Sequence, residues 1–555
     1  MVETLDTPVL RKARGAFFTP PAITEAIVHW AVRSGSDRVL EPSCGEAAFL
    51  IPAALQIERF GVPVDGVPIQ LTGIDLHAES TRRARSHLAK SPVSSEIRKG
   101  NFFDLAPVPT YDAVVGNPPY VRYQDFAGLD RSRAQERALA QGVRLSGLAS
   151  SWAPFTVHAS AFLNESGRLG LVIPGEFLNR DYAASVRSYL LQRFERVALA
   201  IFHERIFPGV LEEVVLLLAE GTGGTDHFAL YDIANLDDLR ERDFGSEPTQ
   251  RWAPTNSRSR LTRVLGDERG SAVLDALERE GVLSQLAEWG TPRLGIVTGA
   301  NKYFAVTKSA SERHGFRTDE LLPLCPPGSK HVRRLSFTPH DWASMVEADD
   351  RGYLFRPESD YASLSAGAKK YIDAGDEAGI ASAYKCRVRS PWWRVPDLTP
   401  PDMFVTYMNH EAVQLCSNSA GVRCLNSLHG LRFTDRVYAP RASSLLPIGA
   451  LSTASLASAE QVGRAFGGGM LQVLPREASR MLVPSKATLG TFEKQLEALA
   501  GDVETAITSG DLTQATALVD EVILGTLSRP DRVALQKALA EFRRRRFTRN
   551  ARDRV

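Results

Sequence analysis

The residues between positions 20 and 220 alternate between short apolar runs and longer segments in which apolar residues recur with helical spacing. Such alternation predicts a mostly parallel, doubly wound α/β sheet, because parallel strands need a helical crossover to connect them. Seven strands are predicted, at residues 38–41, 70–75, 96–101, 112–117, 168–174, 197–202 and 214–220.

The tetrapeptide Asn117-Pro118-Pro119-Tyr120 follows the fourth predicted strand. Its two prolines make the strand end rigid, because both φ angles are fixed and neither residue has an N–H group. The Asn117 side-chain oxygen and the Pro118 carbonyl can accept both hydrogens of a planar NH2 group, while the Tyr120 ring can stack on the attached heterocycle. The tetrapeptide therefore predicts a site for adenine N6, and the alternative is a proline-rich turn after a buried strand.

Two earlier strand ends carry acidic residues. Residues 39–50 predict a strand, a tight turn and a helix start, which together open a ligand crevice at the carboxyl edge of an α/β sheet. Glu41 lies at this strand tip, and Gly45 lets the backbone approach a ligand without a Cβ atom. Asp75 ends the second predicted strand, where a carboxylate can accept from both hydroxyls of a ribose; the alternative for an isolated aspartate is a helix N-cap.

In chain order, GAFFTP at 15–20, VLEPSCGEAAFL at 39–50, GIDLH at 73–77, GNFFDL at 100–105 and NPPY at 117–120 resemble the S-adenosylmethionine-dependent N6-adenine DNA methyltransferases. The order is similar to the gamma arrangement of the Taq methyltransferase group, in which the cofactor half precedes the catalytic half and a target-recognition domain follows. The resemblance covers residues 10–220 best. It implies a class I methyltransferase fold with a seven-stranded sheet, then a mixed α+β target-recognition domain and a C-terminal helical segment.

The resemblance also implies roles for individual positions. S-adenosyl-L-methionine would be the cofactor, bound by Phe18, Thr19, Pro20, Glu41, Pro42, Gly45, Asp75, Asn101 and Phe102. The catalytic residues would be Asn117, Pro118, Pro119, Tyr120 and Phe207. An adenine inside a duplex cannot present N6 to a methyl donor, so base flipping is expected, with Tyr120 and Phe207 stacking on the extruded ring.

Two of these positions need separate comment. The family usually has aspartate where this chain has Asn101, to accept from the exocyclic amine of the cofactor; asparagine can also accept but brings no charge, and Asp104 could share the task. Phe207 lies in an Ile-Phe-Pro-Gly segment, where a phenylalanine is by default a core residue. Residues 121–150 are polar and rich in arginine, without a predicted strand, and are interpreted as a loop that forms a lid beside the target-base pocket.

The length of 555 residues predicts two to four domains. The boundaries expected are 1–235 for the catalytic domain, 236–490 for the DNA target-recognition domain, and 491–555 for a helical segment. That segment ends in four arginines at 543–546, a solvated tail or a source of phosphate contacts. The net charge of +1 excludes a globally basic protein, so any nucleic-acid surface must be a local cleft.

Residues 385–394 are the candidate for such a cleft. They contain four basic residues, no acidic ones and two tryptophans. Basic and aromatic residues in one segment suit phosphate and base contacts, so DNA binding is predicted for Arg387, Arg389, Trp392, Trp393 and Arg394. The alternative is an edge strand with solvated charges and two core tryptophans.

The five cysteines include no Cys-x-x-Cys pair, so neither a disulfide framework nor a metal site is expected. The first residues lack an apolar signal core, and no apolar run approaches the ~20 residues of a membrane span, so a cytoplasmic location without a membrane is expected. The expected partner is double-stranded DNA, acted on by a monomer, and a cognate restriction endonuclease is a further candidate partner.

Three functions remain open at this point. The first is a site-specific DNA adenine N6-methyltransferase of a restriction-modification or related defence system. The second is a methyltransferase for RNA adenine or for a protein glutamine amide, which would use the same tetrapeptide to hold an NH2 group. The third is a non-catalytic DNA-binding module on the same fold. The more than 300 residues after the sheet favour a polymeric substrate, and Glu41, Asp75 and Asn117 favour an active enzyme.

Overall fold

The structure is a computed structural model that describes residues 19–61, 69–202, 206–207, 214–253, 268–358, 360–397 and 399–548. The chain forms two compact units, Met1–Val264 and Leu265–Val555. One large sheet organises the first unit, whereas several small sheets and many helices make up the second.

The sheet of the first unit has nine strands. They are β1 (Val39–Glu41), β2 (Leu71–Asp75), β3 (Ser95–Lys99), β4 (Tyr111–Gly116), β5 (Leu163–Pro174), β6 (Arg196–Phe202), β7 (Val214–Glu220), β8 (Phe228–Ile233) and β9 (Gln250–Trp252). Their spatial order is β3-β2-β1-β4-β5-β7-β6-β8-β9. The first five strands are parallel, and β7 runs antiparallel to both of its neighbours.

All seven predicted strands are confirmed. Strands β6 and β7 are apolar except for one charged residue at an end of each, and β7 is buried along nearly its whole length, because the strands of a doubly wound sheet are covered on both faces. β5 begins earlier than predicted, at Leu163, and a register irregularity separates its first contact with β4 from the rest. β3 ends at Lys99, so Asn101 lies just beyond the strand.

The first unit extends past residue 235, the boundary expected from the sequence. β8 pairs with β6, and β9 pairs with β8, so both strands continue the sheet, and the compact unit ends at Val264. Residues 221–227 therefore connect β7 with β8 inside the sheet.

Eight α-helices of the first unit are described: α1 (Pro21–Ala31), α2 (Leu50–Phe60), α3 (Ala78–Leu88), α4 (Gly128–Ala140), α5 (Trp152–Ser160), α6 (Glu176–Asn179), α7 (Ala184–Arg193) and α8 (Leu236–Glu241). Helix α4 corrects the interpretation of residues 121–150 as a loop. It is charged along most of its surface, but Ala134 and Ala138 are fully buried. Two alanines give too weak an apolar periodicity to reveal a helix in the sequence.

The strand order reverses between β1 and β4, which are direct neighbours, with Leu40 opposite Val114. At such a switch point, the connections that leave the two carboxyl ends run to opposite faces of the sheet, and a crevice opens between them. Glu41 and Asn117 lie at these two ends, so the sheet topology brings the acidic strand tip and the tetrapeptide to the same crevice.

The second unit contains sheets ordered β10-β21, β11-β18-β15-β17, β12-β14-β13 and β16-β20-β19. Its strands are β10 (Leu283–Gln285), β11 (Gly290–Leu294), β12 (Ala305–Val306), β13 (Leu321–Pro323), β14 (Tyr353–Phe355), β15 (Met403–Thr406), β16 (Met408–Asn409), β17 (Leu415–Ser417), β18 (Leu428–Phe433), β19 (Arg464–Phe466), β20 (Met470–Gln472) and β21 (Leu482–Pro484). The predicted mixed α+β class is confirmed.

The helices of the second unit are α9 (Glu268–Arg279), α10 (Asn301–Phe304), α11 (Lys308–His314), α12 (Pro339–Glu347), α13 (Ala366–Glu377), α14 (Tyr384–Arg387), α15 (Ala439–Gly449), α16 (Thr453–Val462), α17 (Pro475–Ala478), α18 (Lys486–Thr491), α19 (Glu493–Thr508), α20 (Leu512–Ile523) and α21 (Arg529–Thr548). Helices α19 to α21 share one core with α15 and α16, so the predicted segment 491–555 is part of the second unit rather than an appendage.

The C-terminal arginines also differ from expectation. Arg546 is 3% exposed and pairs with the buried Glu460 of α16 at 2.8 Å. Arg545 is likewise buried and pairs with Glu541. A run of arginines predicts a solvated tail by composition alone, but here α21 packs this end of its length against α16.

Among the described residues, no single helix is long and apolar enough to cross a membrane, although α15 and α16, bent by 87°, pass that test as a pair. Most of the residues of these two helices are buried.

Candidate active site

Asn117 lies directly after β4, at the crevice. Its Nδ2 atom donates a hydrogen bond to the Thr19 hydroxyl at 3.1 Å. Its Oδ1 atom is buried and has no hydrogen-bond partner within the part of the chain that the structure describes. Most buried side-chain acceptors are paired, because an unpaired one loses roughly 1–3 kcal/mol of hydration. The Asn117 oxygen is therefore a preset acceptor for a donor on a ligand.

A set of hydrogen bonds fixes the rest of the tetrapeptide. The Ser151 hydroxyl donates to the Pro119 carbonyl and accepts from the Val121 N–H group at 2.9 Å. The Ser151 N–H group in turn donates to the Val121 carbonyl at 3.0 Å. The Tyr120 hydroxyl donates to the Val172 carbonyl of β5 at 3.0 Å. The backbone on both sides of Tyr120 and the ring itself are thereby held in place.

Ser151 is a residue that sequence reasoning missed. It is 3% exposed and stands immediately before α5, where serine is a preferred N-cap. The side chain makes no capping bond to the helix, because it is bonded to the tetrapeptide instead. The only sequence signal was a serine before a helical segment, and that signal indicates a cap.

Glu41 is 1% exposed, at the end of β1. Its carboxylate accepts from the N–H groups of Phe49 at 3.2 Å and Leu50 at 3.1 Å, where α2 begins. Burial raises the pKa of Glu41 well above its ordinary value, although these two N–H groups act in the opposite direction. Glu41 therefore closes the turn between β1 and α2, a role that the sequence did not reveal, and it shapes the crevice wall.

Gly45 and Asp75 form the next part of the site. Gly45 has a φ of +52° and its N–H group donates to Asp75 Oδ2 at 2.9 Å. Asp75 Oδ1 accepts from the His77 N–H group at 2.8 Å. Each carboxylate oxygen thus has one backbone partner and keeps further capacity to accept. A Cβ atom at position 45 would meet nothing within 4 Å, so open space lies above this glycine.

Asn101 and Phe102 follow β3 and begin a 3-10 turn, Phe102–Asp104. Asn101 Oδ1 accepts from the Phe103 N–H group at 3.0 Å, so the side chain caps this turn. Phe102 is 4% exposed, and its ring packs against three other rings, Phe155, His158 and Phe162. The position after Asn101 therefore anchors the turn in an aromatic cluster, and contact of Phe102 with the cofactor stays a prediction.

His158 belongs to the same cluster and is fully buried. Its Nε2 atom lies 3.3 Å from the Phe102 carbonyl. Burial lowers the pKa of His158 to about 4. The ring is therefore neutral near pH 7 and acts as a packing and hydrogen-bonding group beneath the turn.

The structure describes most of the other predicted site residues, but not all of them. Phe18 lies outside the described residues, whereas Thr19 contacts Asn117, and Pro20 precedes α1. Pro42 and Pro118 are buried beside the crevice. Phe207 is 5% exposed, but its neighbours at 203–205 and 208–213 lie outside the described residues. Stacking of Phe207 on a target base stays a prediction.

The predicted DNA-binding segment 385–394 is largely built into the second unit. The Arg389 guanidinium donates to the carbonyls of Thr298, at 2.7 Å, and Val297. Trp392 packs on the rings of Tyr303 and Phe304. Trp392 and Trp393 are half-buried against a hydrophobic core, as in the alternative interpretation, although the segment is a short helix and turn rather than a strand. Arg389 is also half-buried.

The remaining two positions differ from each other. Arg394 is half-buried, and its guanidinium donates to the Glu358 carbonyl at 2.9 Å. Arg387 is exposed, with its guanidinium 5.9 Å from the ring centre of Tyr384. Sequence composition cannot distinguish these two roles, because an arginine that donates to backbone carbonyls of another loop gives the same local sequence pattern as an arginine that faces solvent.

The strand order with an antiparallel β7, together with the crevice residues at β1, β2 and β4, defines a class I methyltransferase of the type that uses S-adenosylmethionine. Two family models match adjoining parts of the chain: N-6 DNA Methylase matches residues 7–249, and the C-terminal domain of the Type II methyltransferase M.Eco57I matches residues 259–524. Residues 7–249 are thus similar to the N6-adenine DNA methylases, and the chain is a DNA methyltransferase specific for adenine.

Individual relatives agree with this assignment. The Type II methyltransferase M.AccI of Acinetobacter calcoaceticus is 22% identical over 498 residues, which cover 87% of each chain. M.XamI of Xanthomonas campestris pv. amaranthicola is 23% identical over 501 residues, 86% of each chain. The solved structure of the Type IIL restriction-modification enzyme MmeI in complex with DNA shares the fold, with a TM-score of 0.57, 12% identity, and coverage of 95% of this chain and 75% of that one.

Proposed function

We propose that Asn117 holds N6 of the target adenine during methyl transfer. The observation that carries this proposal is the buried Oδ1 atom of Asn117, which has no partner among the described residues and lies beside the rigid Pro118-Pro119 pair. Accepting a hydrogen bond from the amine raises electron density on nitrogen. The same acceptor stabilises the positive charge that nitrogen gains as the new bond forms.

The cofactor half of the crevice fits S-adenosylmethionine, which supplies an electrophilic methyl group. Asp75 would accept from the ribose hydroxyls, because both of its oxygens keep acceptor capacity. The open space above Gly45 admits the cofactor backbone, and Glu41 shapes that wall through its bonds to α2. Thr19 and Pro20 stand beside Asn117, where the reacting groups would meet.

The target adenine would leave the duplex to reach Asn117, because N6 in a base pair is already engaged. The Tyr120 ring, fixed by its bond to Val172, is suited to stack on the extruded base. Phe207 is the proposed second stacking partner. The nitrogen needs no dedicated general base, since its proton can leave after methyl transfer.

We also propose a division of labour between the two units. Residues 265–555 would recognise the DNA sequence, as the target-recognition part of a monomeric enzyme that modifies chromosomal DNA in the cytoplasm. The curated relatives are Type II methyltransferases, which supports a role in a restriction-modification system with a cognate endonuclease. The finer gamma arrangement rests on the motif order in the sequence.

One assay tests the central proposal. Tritiated methyl label from S-adenosylmethionine should enter duplex DNA rather than RNA or protein, and enzymatic digestion should recover it as N6-methyladenine. Asn117→Ala should lower turnover by ~10² to 10³, the usual effect of losing one such contact, while calorimetry shows unchanged affinity for S-adenosylhomocysteine. Near-normal turnover of this variant would show that Asn117 is not the catalytic acceptor. Label recovered in RNA or protein, rather than in DNA, would contradict DNA as the substrate.

A further inference from the structure

Helix α4 is fixed to the turn that follows β3. Arg133 pairs with Asp104 at 2.8 Å, and Arg137 donates to the Phe103 carbonyl at 2.8 Å. Ala134 is fully buried and lies three residues before Arg137, on the same face of the helix. The helix is thereby held against the turn through both polar and packing contacts.

One contact of this helix reaches the predicted cofactor site directly. Asn101 Nδ2 donates to Asp130 Oδ1 at 2.8 Å. Asn101 Oδ1 already accepts from the Phe103 N–H group, so the orientation of the amide is determined. Asp130 is exposed, and its second oxygen has no partner among the residues described. Asn101 and Asp130 together present one free amide hydrogen and one free carboxylate oxygen side by side.

This pair lies next to the proposed ribose ligand. The Gly100 N–H group donates to the Asp75 carbonyl at 2.9 Å, so Asn101 follows directly from the strand end that neighbours Asp75. A nucleoside whose ribose binds Asp75 would bring its base towards Asn101. The Watson–Crick edge of adenine offers an acceptor at N1 and a donor at N6, which complements the free amide hydrogen and the free carboxylate oxygen.

We propose that Asp130 supplies the carboxylate that reads the exocyclic amine of the cofactor adenine. Asn101 carries no charge, and Asp130 provides it from a helix that sequence reasoning took for a loop. The inference rests on the proposed cofactor site and adds its base-selecting residue. A hypoxanthine base tests it, since its N1 is a donor and its 6-oxygen is an acceptor, which reverses both complementary contacts.

Calorimetry with S-adenosylhomocysteine and S-inosylhomocysteine measures this selectivity without catalysis or DNA. The wild-type protein should prefer the adenosyl compound by on the order of 10- to 100-fold, because the inosyl compound leaves the carboxylate facing an acceptor. Asp130→Asn can donate as well as accept, and it should reduce that preference to a few-fold or less. Glu136→Gln removes the same charge from an exposed site on the same helix and should preserve the preference.

A reciprocal exchange separates recognition from simple support of the turn. Asn101→Asp alone places two carboxylates side by side and should weaken binding of the adenosyl compound by about tenfold. The double variant Asn101→Asp with Asp130→Asn restores one amide and one carboxylate and should recover the adenosyl preference. If Asp130 only supported the turn, Asp130→Asn would weaken both compounds equally and leave their ratio unchanged, and that result would overturn the proposal. Failure of the wild-type protein to bind either compound would instead contradict the cofactor site itself.

The second unit contains an arginine-lined cavity that supports a second inference. A cavity of about 430 Å³ lies over β11 and β18. Among the described residues, its charged lining consists of four arginines and one aspartate: Arg293, Arg423, Arg432, Arg436 and Asp397. Thr291 of β11 lies opposite Arg432 of β18 in the antiparallel register.

The four arginines are not equivalent. Arg423 pairs with Asp397 at 2.6 Å, and Arg436 pairs with Asp402 at 2.6 Å. Arg293 and Arg432 are exposed, and neither has a carboxylate partner among the residues that the structure describes. Exposed arginines without counter-charges on a concave sheet edge are complementary to a phosphate backbone.

We infer that duplex DNA lies on this β11–β18 surface and that Arg293 and Arg432 contact its phosphates. This inference rests on the proposed DNA substrate and replaces segment 385–394 as the principal basic contact. Electrophoretic titration of a duplex at several salt concentrations should show weaker binding by Arg293→Ala with Arg432→Ala, and a slope of log K against log salt that falls by about 2.

Arg313→Ala, which removes an exposed arginine of α11, is the matched control and should keep the wild-type slope. Affinity for S-adenosylhomocysteine should be the same in all three proteins. An unchanged slope for the double variant would place the DNA elsewhere on the second unit, whereas a wild-type protein without affinity for duplex DNA would contradict the proposed substrate.

Discussion

The Thr19 hydroxyl and the Asn117 amide are joined by a hydrogen bond of 3.1 Å between residues 98 positions apart in the chain. This bond connects the segment before α1 with the tetrapeptide after β4. It directs the amide nitrogen of Asn117 towards Thr19, and the amide oxygen has no hydrogen-bond partner among the described residues. The orientation of the proposed catalytic acceptor therefore depends on a residue that lies far from it in the sequence.

Thr19→Val tests this dependence, because it keeps the shape of the side chain but removes the hydroxyl. The Asn117 amide would lose its fixed orientation, and we expect turnover to fall by up to about tenfold, the worth of one neutral hydrogen bond. Thr19→Ser retains the hydroxyl and should stay near wild type. Single-turnover methylation of duplex DNA measures the effect; equal rates for the two variants would show that the orientation is set elsewhere.

Asp75→Ala should reduce cofactor affinity more than the rate of the bound complex. The variant loses both proposed acceptors for the ribose, and each charge-assisted bond contributes roughly 1.5–3 kcal/mol. Titration calorimetry with S-adenosylhomocysteine measures the loss, and Asp75→Asn, which keeps one acceptor, should give an intermediate value. A dissociation constant unchanged in Asp75→Ala would remove this residue from the ribose site.

Tyr120 offers a matched pair of variants. Tyr120→Phe keeps the ring and loses only the bond to Val172, whereas Tyr120→Ala loses the ring. If the ring stacks on an extruded adenine, DNA binding should weaken by ~1 to 3 kcal/mol in Tyr120→Ala and change little in Tyr120→Phe. A 2-aminopurine probe at the target position reports the extrusion by fluorescence, and the same probe at a non-target adenine should not respond. Equal responses at both positions would argue against base flipping.

His158 should make the stability of the first unit depend on pH. Its folded-state pKa of about 4 lies below the ordinary value near 6.5, so between these values the unfolded chain binds more protons than the folded chain. The stabilisation is fully present above pH 6.5 and is lost as the pH falls towards 4, up to about 3 kcal/mol. Urea unfolding of wild type and His158→Gln across this window measures the difference; the exposed His340→Gln is the control and should follow the wild-type curve.

The sequence predicts the strands of the first unit well, because a sheet that is covered on both faces requires continuous apolar runs such as residues 214–219. It predicts the crevice residues for the same reason, since each follows a strand. It fails where the deciding contacts join distant segments. The bonds of Ser151 to the tetrapeptide, of Glu41 to the start of α2, and of Asp130 to Asn101 all depend on tertiary packing.

The charge pattern of the sequence does not predict which arginines face solvent. In the sequence, Arg389 and Arg546 cannot be distinguished from arginines that face solvent. In the structure, Arg389 donates to backbone carbonyls and Arg546 forms a buried ion pair. Arg293 and Arg432 stand apart in the chain, and only the pairing of β11 with β18 brings them to one surface. A local cluster of basic residues therefore does not by itself identify a DNA-binding surface.

The buried, unpartnered oxygen of Asn117 has a consequence for how this protein can evolve. Without a bound adenine, that oxygen makes the folded enzyme less stable than one with an apolar side chain of similar size at the same position. If Asn117 is the proposed acceptor for adenine N6, selection for thermal stability alone would remove it, whereas selection for DNA methylation would retain it. Lineages that lose the need for methylation should lose this asparagine early, while the surrounding fold persists.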